Sequence, residues 1–248
     1  MSYEGNVLWD AMKAAKYRNT LAELIKVSKT ETTDLTQFMN SLLRVVAEAV
    51  HAEAGTLWYY SKFADGRIHP KAAFGGSDLG DFSLAPGEGI AGNVIQTGQG
   101  TIIQDCQKDS RWSVKVDAGT GFITRSMICV PLKDGDIGFG CIQLINRTDG
   151  SLYDDKDFKF MESLAVETSR IIMDHSKDLF MGYFSAFEDK NQAGFESLSN
   201  CESVEEMLAA IRKIPQYLEL KGLKAWMFEQ HCKRLWALCH PIKEDRRE

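Results

Sequence analysis

Three side chains near the middle of the chain have the types and spacing to hold a small polar molecule: Asp117, Thr120 and Thr124. At i, i+3 and i+7 they would share one helix face, offering a carboxylate and two hydroxyls. Gly119 and Gly121 fall among them, so a lid-like turn is an equal reading, and the three can instead cap local backbone. Further on, Gln143 is the single polar side chain of the run FGCIQLI. Strand alternation groups it with Phe139, Cys141 and Ile145, where a buried amide requires a partner, either a ligand or a neighbouring loop. Ahead of both, Pro86-Gly87-Glu88-Gly89 turns into a short helix that begins at Ile90 and Ala91. Small residues there let backbone N–H groups approach an anion, with ordinary helix packing as the alternative. Glu88 beside them opposes an anion unless it points to solvent.

Motifs for catalysis are missing from the sequence. There is no Walker loop, no HExxH, no GxSxG and no paired His/Asp metal set of a phosphodiesterase, so the chain is expected not to be an enzyme. Cys106, Cys129 and Cys141 keep a thiol-based reductase as an alternative, although Cys129 and Cys141 sit in apolar strand patterns where a thiol usually acts as a small hydrophobe. His231-Cys232 with Cys239-His240 is the one cluster to weigh for zinc, but its spacing fits no standard module. His175 has no second ligand near it in sequence. No metal and no cofactor are expected. A formal charge of −6 with no long basic run argues against nucleic acid or an anionic membrane as partner. No apolar run approaches the length needed to span a bilayer, so a cytoplasmic protein is expected.

The elements that must position these residues follow from periodicity. Residues 6–28 read as a helix with Leu8, Met12, Ala15, Ala22 and Ile25 on its apolar face. Asp34 caps a second helix carrying Leu35, Phe38, Leu42, Val45, Val46 and Ala49. Strands are expected at 56–61, 68–74, 101–103, 126–132 and 137–145, with a short helix at 90–96 and a helical turn around 110–118. A long helix runs from Asp154 to about Leu179, its stripe made of Phe158, Met161, Ala165, Thr168, Ile172 and His175. The expected class is α+β, with helices against an antiparallel sheet. Residues 1–33 form a helix and linker, 34–176 the main domain and 177–202 a linker. Residues 203–248 form a helix, capped by Ser203, plus a hairpin of 223–230 and 233–239. That tail is either a docked terminal unit or the opening of a second such domain.

GxGIAGxV, then DxRW, then VDxxTGFxTRSMxCVPL and GxxQLINRxDG resemble a GAF domain, and more narrowly the GAF domains of cyclic-nucleotide phosphodiesterases and adenylyl cyclases. The resemblance covers about 34–176. It implies a six-stranded antiparallel sheet with helices on both sides and a ligand pocket on one face. The subtype often carries an N-K…F-x3-D-E signature, present here as Asn146-Arg147, Tyr153 and Asp157-Phe158 with the final acid missing. Arg147 in place of lysine can keep an ion pair with Asp157, and the set serves as a support behind the pocket. Asp117, Thr120 and Thr124 match positions that contact base or sugar-phosphate, and Phe74 matches one that stacks on the base. Gly75 departs from the acidic residue often found there, and Trp112 either lines the lid or anchors the surface. The implied function is the sensing part of a larger signalling protein. It would bind cAMP or cGMP and act through a homodimer of helices 6–28 and 154–179. The alternatives are a degenerate pocket used for dimerisation or docking, or a different metabolite.

Overall fold

The computed structural model describes residues 3–30, 34–60, 66–75, 79, 82–112, 123–188 and 201–213, with Glu229 and Cys232. It divides into two compact units, one reaching Ile172 and one from Met173 onward. The first contains α1 (Tyr3–Ser28), α2 (Leu35–Ala49), β1 (Ala52–Tyr60), β2 (Ile68–Phe74), α3 (Gly89–Thr97), β3 (Thr101–Ile103), β4 (Met127–Asp134) and β5 (Ile137–Arg147). Helix α4 (Asp155–Glu188) begins in it, and α5 (Val204–Ile211) belongs to the second. The sheet is antiparallel, in the order β2-β1-β5-β4-β3. Five strands are seen among the described residues where six were expected. No helix among them is long and apolar enough to cross a membrane.

Helices α2, α4 and α5 start where a side chain satisfies free amides. Asp34 accepts from Thr36 N and Gln37 N, and Asp154 accepts from Lys156 N and Asp157 N. Helix α2 buries Leu35, Phe38, Met39, Leu42, Leu43 and Val46 at three- and four-residue steps and packs on β1 and β2. Helix α1 lies against its neighbours through a stripe rotated by one residue from the expected one. Thr20 and Leu24 are buried, whereas Ala22 and Ile25 are exposed. The rotation brings the Tyr17 ring edge-on to Phe160 of α4, with centroids 6.1 Å apart, and Lys16 Nζ lies 5.2 Å from the Phe160 ring centroid.

Strand β1 begins at Ala52, earlier than expected, because Gly55 belongs to the sheet and is not a turn residue. It faces Phe74 and Leu144, and an added Cβ would come within 2.8 Å of the first and 2.6 Å of the second. The glycine is required by packing, which periodicity does not register. Helix α4 runs through Gly182 to Glu188, where a linker was expected from 177. One glycine costs a helix about 1 kcal/mol, too little to end it among good helix formers. Helix α5 is capped by Ser203 as expected and closes at Ile211. Glu229, assigned above to a strand, and Cys232, in the turn that follows it, are helical. Their surroundings are rich in Leu, Lys, Ala, Met and Glu, which favour helix as readily as the aromatics favour strand. Glu229 is fully buried and takes a bidentate pair from Arg212 at 2.8 and 2.9 Å. His231, Cys239 and His240 lie outside the described residues.

Asn146, at the end of β5, ties the sheet to what surrounds it. It is buried, in the left-handed region at φ 51°. Its amide oxygen accepts from Arg125 N at 2.8 Å and Ser126 N at 3.2 Å. Its NH2 donates to Glu53 Oε2 and to the Ile123 carbonyl, both at 2.9 Å. Glu53 Oε1 in turn receives Arg125 at 2.7 Å, and fully buried Tyr153 donates to the Asn146 carbonyl at 2.6 Å. Burial pushes the Tyr153 hydroxyl well up. Arg147 reaches Asp157 at 2.8 Å, the ion pair expected from the sequence, and Asp149 at 2.9 Å. The Arg147 and Ser151 side chains hold the Asp149 carboxyl well below the usual carboxylate range.

Substitutions at two positions test this account. At Gly140 an added Cβ would sit 2.3 Å from the Trp58 carbonyl, so Gly140→Ala must separate β1 from β5 and should cost about 1–3 kcal/mol in urea unfolding. Asn146→Ala loses four side-chain hydrogen bonds and leaves alanine at positive φ, for an expected loss of about 3 kcal/mol. Asn146→Asp should not restore it, since the new carboxylate would face Glu53.

Candidate functional site

The sheet face opposite α2 is a patterned surface. Partner residues in antiparallel strands point the same way, so Thr56, Gln143, Cys129 and Thr101 form one row across the sheet. Ala54, Ile145, Met127 and Ile103 form the next row, and Trp58 faces Cys141 on the other side. Helix α3 lies over this face. Its Ile90, Ala91, Val94 and Ile95 are buried with Trp58, Ile68, Leu84, Met127 and the three thiols Cys106, Cys129 and Cys141. Trp112, Phe82 and Tyr60 pack against that cluster.

Gln143 is the buried polar centre of the floor, as the sequence implied, and both ends of its amide are engaged. Trp58 Nε1 donates to Gln143 Oε1 at 2.7 Å, and Gln143 Nε2 donates to Met127 Sδ at 3.0 Å. Cys141 and Ile145 share its face, but alternation ends before Phe139, because the β4–β5 register skips that residue. Burial and the neighbouring Cys129 thiol push the Cys141 thiol up, so it stays protonated. Among the described residues no three metal-ligating side chains come together.

Ile90 and Ala91 form the first turn of α3 and belong to the cluster. Glu88, the N-cap residue, does not cap the helix with its side chain; its carboxylate folds back to accept from Ala85 N at 2.8 Å and stays exposed. The helix also has no acidic residue in its first turn, so its amide end is not neutralised by a carboxylate. At its flank, Arg111 makes a bidentate pair with Asp109 at 3.0 and 2.7 Å and donates to Asn93 Oδ1 at 3.1 Å. The guanidinium holds the Asp109 carboxyl below its usual value. Trp112, the next residue, has a buried indole N–H with no partner.

Thr124 is 1% exposed, between two residues that Asn146 holds, Ile123 and Arg125. Asp117 and Thr120 lie outside the described residues. Phe74 does not join the site. It pairs with Gly55 on the face shared with Leu144, one step of alternation away from Thr56 and Gln143. Asn146, Arg147, Tyr153 and Asp157 meet at the end of β5, through the Tyr153 bond to the Asn146 carbonyl and the Arg147–Asp157 pair.

The sequence reading missed Trp58, Glu53 and Arg111. Trp58 was legible in principle, since alternation from Thr56 puts it on the Gln143 face once β1 and β5 are paired. Glu53 has no such signal, because its role exists only through Asn146. An open hollow of about 480 Å³ lies elsewhere, lined by Gly100, Pro131, Lys133, Phe158, Glu162 and Ala165 among others, and shares no residue with the cluster around Gln143.

Comparisons with known proteins converge on one family. The model of the GAF domain matches residues 32–173, more than half of the chain. The dual 3′,5′-cyclic-AMP and -GMP phosphodiesterase 11 of Drosophila melanogaster is 37% identical over 82 residues, 32% of this chain and 6% of that protein. The cGMP-specific 3′,5′-cyclic phosphodiesterase of the same organism is 40% identical over 74 residues, 29% of this chain and again 6% of its own length. The chain thus spans a small fraction of these curated relatives. Among solved structures, the GAF domain of a phosphoenolpyruvate-protein phosphotransferase from Coxiella burnetii superimposes with a TM-score of 0.55 at 17% identity, covering 65% of this chain and 96% of that one. A free methionine-R-sulfoxide reductase from Neisseria meningitidis gives 0.55 at 20% identity, covering 67% and 93%, a likeness of fold alone. With the five-stranded antiparallel sheet, the α3 cover and the matched span in agreement, the chain belongs to the GAF domain family.

Proposed function

We propose that this GAF domain is the sensing part of a larger cytoplasmic signalling protein and binds a cyclic nucleotide, cAMP or cGMP, over the floor centred on Gln143. The observation that carries the reading is that floor: an apolar surface with one buried amide, beneath a helix whose amide end has no carboxylate cap. A purine suits the apolar part. The single delocalised charge of a cyclic phosphate suits the amides of Ile90 and Ala91. Phosphodiesterases carrying the related segments supply the ligand class. Asp117, Thr120 and Thr124 are proposed as further contacts. No catalytic step is assigned to the chain. Binding would act through α1 and α4, and only by as much as the ligand's affinity differs between two states of those helices. A homodimer through the same helices would use the faces that α1 leaves exposed, such as Ala22 and Ile25.

Isothermal titration of nucleotide-free protein with cAMP and cGMP tests the proposal. Saturation to about a hundred times Kd should stabilise the fold by about 2.7 kcal/mol, read as a rise in melting temperature. No heat and no melting shift at millimolar nucleotide would rule it out. An unchanged dimer by light scattering after Asp117→Ala with Thr124→Ala would then favour a scaffold with a degenerate pocket. A different metabolite would show in mass spectrometry of the denatured protein.

A further inference from the structure

The Gln143 amide is held in one orientation, and the residue that holds it is Trp58. An indole N–H donates and never accepts, so the group 2.7 Å from Trp58 Nε1 must be the amide oxygen. The NH2 end is thereby turned away from Trp58, toward Met127 in the adjoining row. A thioether is a weak acceptor, so this N–H group is poorly satisfied for a side chain that is only 8% exposed. Nor can the amide turn over to relieve it, because its nitrogen would then oppose the indole N–H with two donors face to face. Trp58 itself is 3% exposed and edge-on to Phe82, with centroids 6.2 Å apart, which fixes the indole in turn.

We infer that Trp58 is a positioning residue that fixes Gln143 as a hydrogen-bond donor, so that the ligand group meeting Gln143 is an acceptor. This rests on the cyclic-nucleotide reading above. It admits a phosphate oxygen, a keto oxygen or a ring nitrogen at that point and excludes the amino group of adenine. The bound group would displace the thioether contact and give the N–H a stronger partner.

The test uses the full chain with cGMP and cAMP as probes, titrated against wild type, Q143E, Q143L, W58F and the W58F/Q143L pair. In Q143E one carboxylate oxygen still accepts from Trp58 while the other replaces the donor. Affinity should fall about tenfold at pH 8 and recover as the pH is lowered and the carboxyl regains a donating proton, while wild type stays flat. A merely structural role would not give that pH profile. W58F should weaken binding severalfold alone and add nothing in the Q143L background, because the indole acts through the amide. Equal losses for both nucleotides place the acceptor on a group the two share, a sugar-phosphate oxygen or a common purine ring nitrogen; a loss for cGMP alone places it at guanine O6. Q143E binding as tightly as wild type at pH 8, or W58F and Q143L losses that simply add, would overturn the inference alone. Wild type that takes up neither nucleotide would overturn the ligand class and this inference with it.

Discussion

A single buried amide, that of Asn146, joins parts of the chain that sequence keeps far apart. Its oxygen and nitrogen are divided between the backbone of residues 123–126 and the Glu53 carboxylate, while its carbonyl takes the Tyr153 hydroxyl. The arrangement needs a side chain that both donates and accepts at one point, on a backbone that tolerates positive φ. Asparagine is the residue that meets both conditions at low strain. Were it absent, the Arg125 and Ser126 amides and the Ile123 carbonyl would each need a new partner, with little water at hand. The segment carrying Thr124 owes its position to this side chain, while the link between the sheet and the start of α4 runs through the Asn146 main-chain carbonyl and the Arg147–Asp157 pair.

The face that looks toward α3 depends on that support but follows a different logic. The Asn146 network is polar and closed, with every group matched. Around Gln143 the surroundings are apolar, the Cys141 thiol is protonated and a soft sulfur stands where a stronger acceptor would be better. A surface of this kind has little chemistry of its own and much shape. In such a place the few polar groups decide orientation more than affinity.

How much was legible in the sequence divides along the same line. The strands β4 and β5, the caps at Asp34 and Ser203, the start of α4 near Asp154 and the pair Arg147–Asp157 were readable because each depends on local spacing. The burial of Gln143 followed from its isolation in an apolar run. Features that depend on two distant strands meeting were not readable: Gly55 inside a strand, the rotation of α1, Phe74 on the opposite face and the bond from Trp58 to Gln143. The tail failed for another reason. Its aromatic residues suit strand and helix alike, and composition had no means to choose at Glu229 and Cys232.

The docking of α1 bears on where this domain begins. Family similarity opens at residue 32, just past that helix, yet Tyr17 and Lys16 cover the Phe160 ring and Leu24 is wholly enclosed. A chain trimmed to the similarity boundary would uncover an aromatic patch on α4 and the groove that receives Leu24. Such a fragment would invite self-association with no bearing on the intact protein's oligomeric state. The folding unit is therefore larger than the homologous one, and its leading helix belongs to the body of the domain.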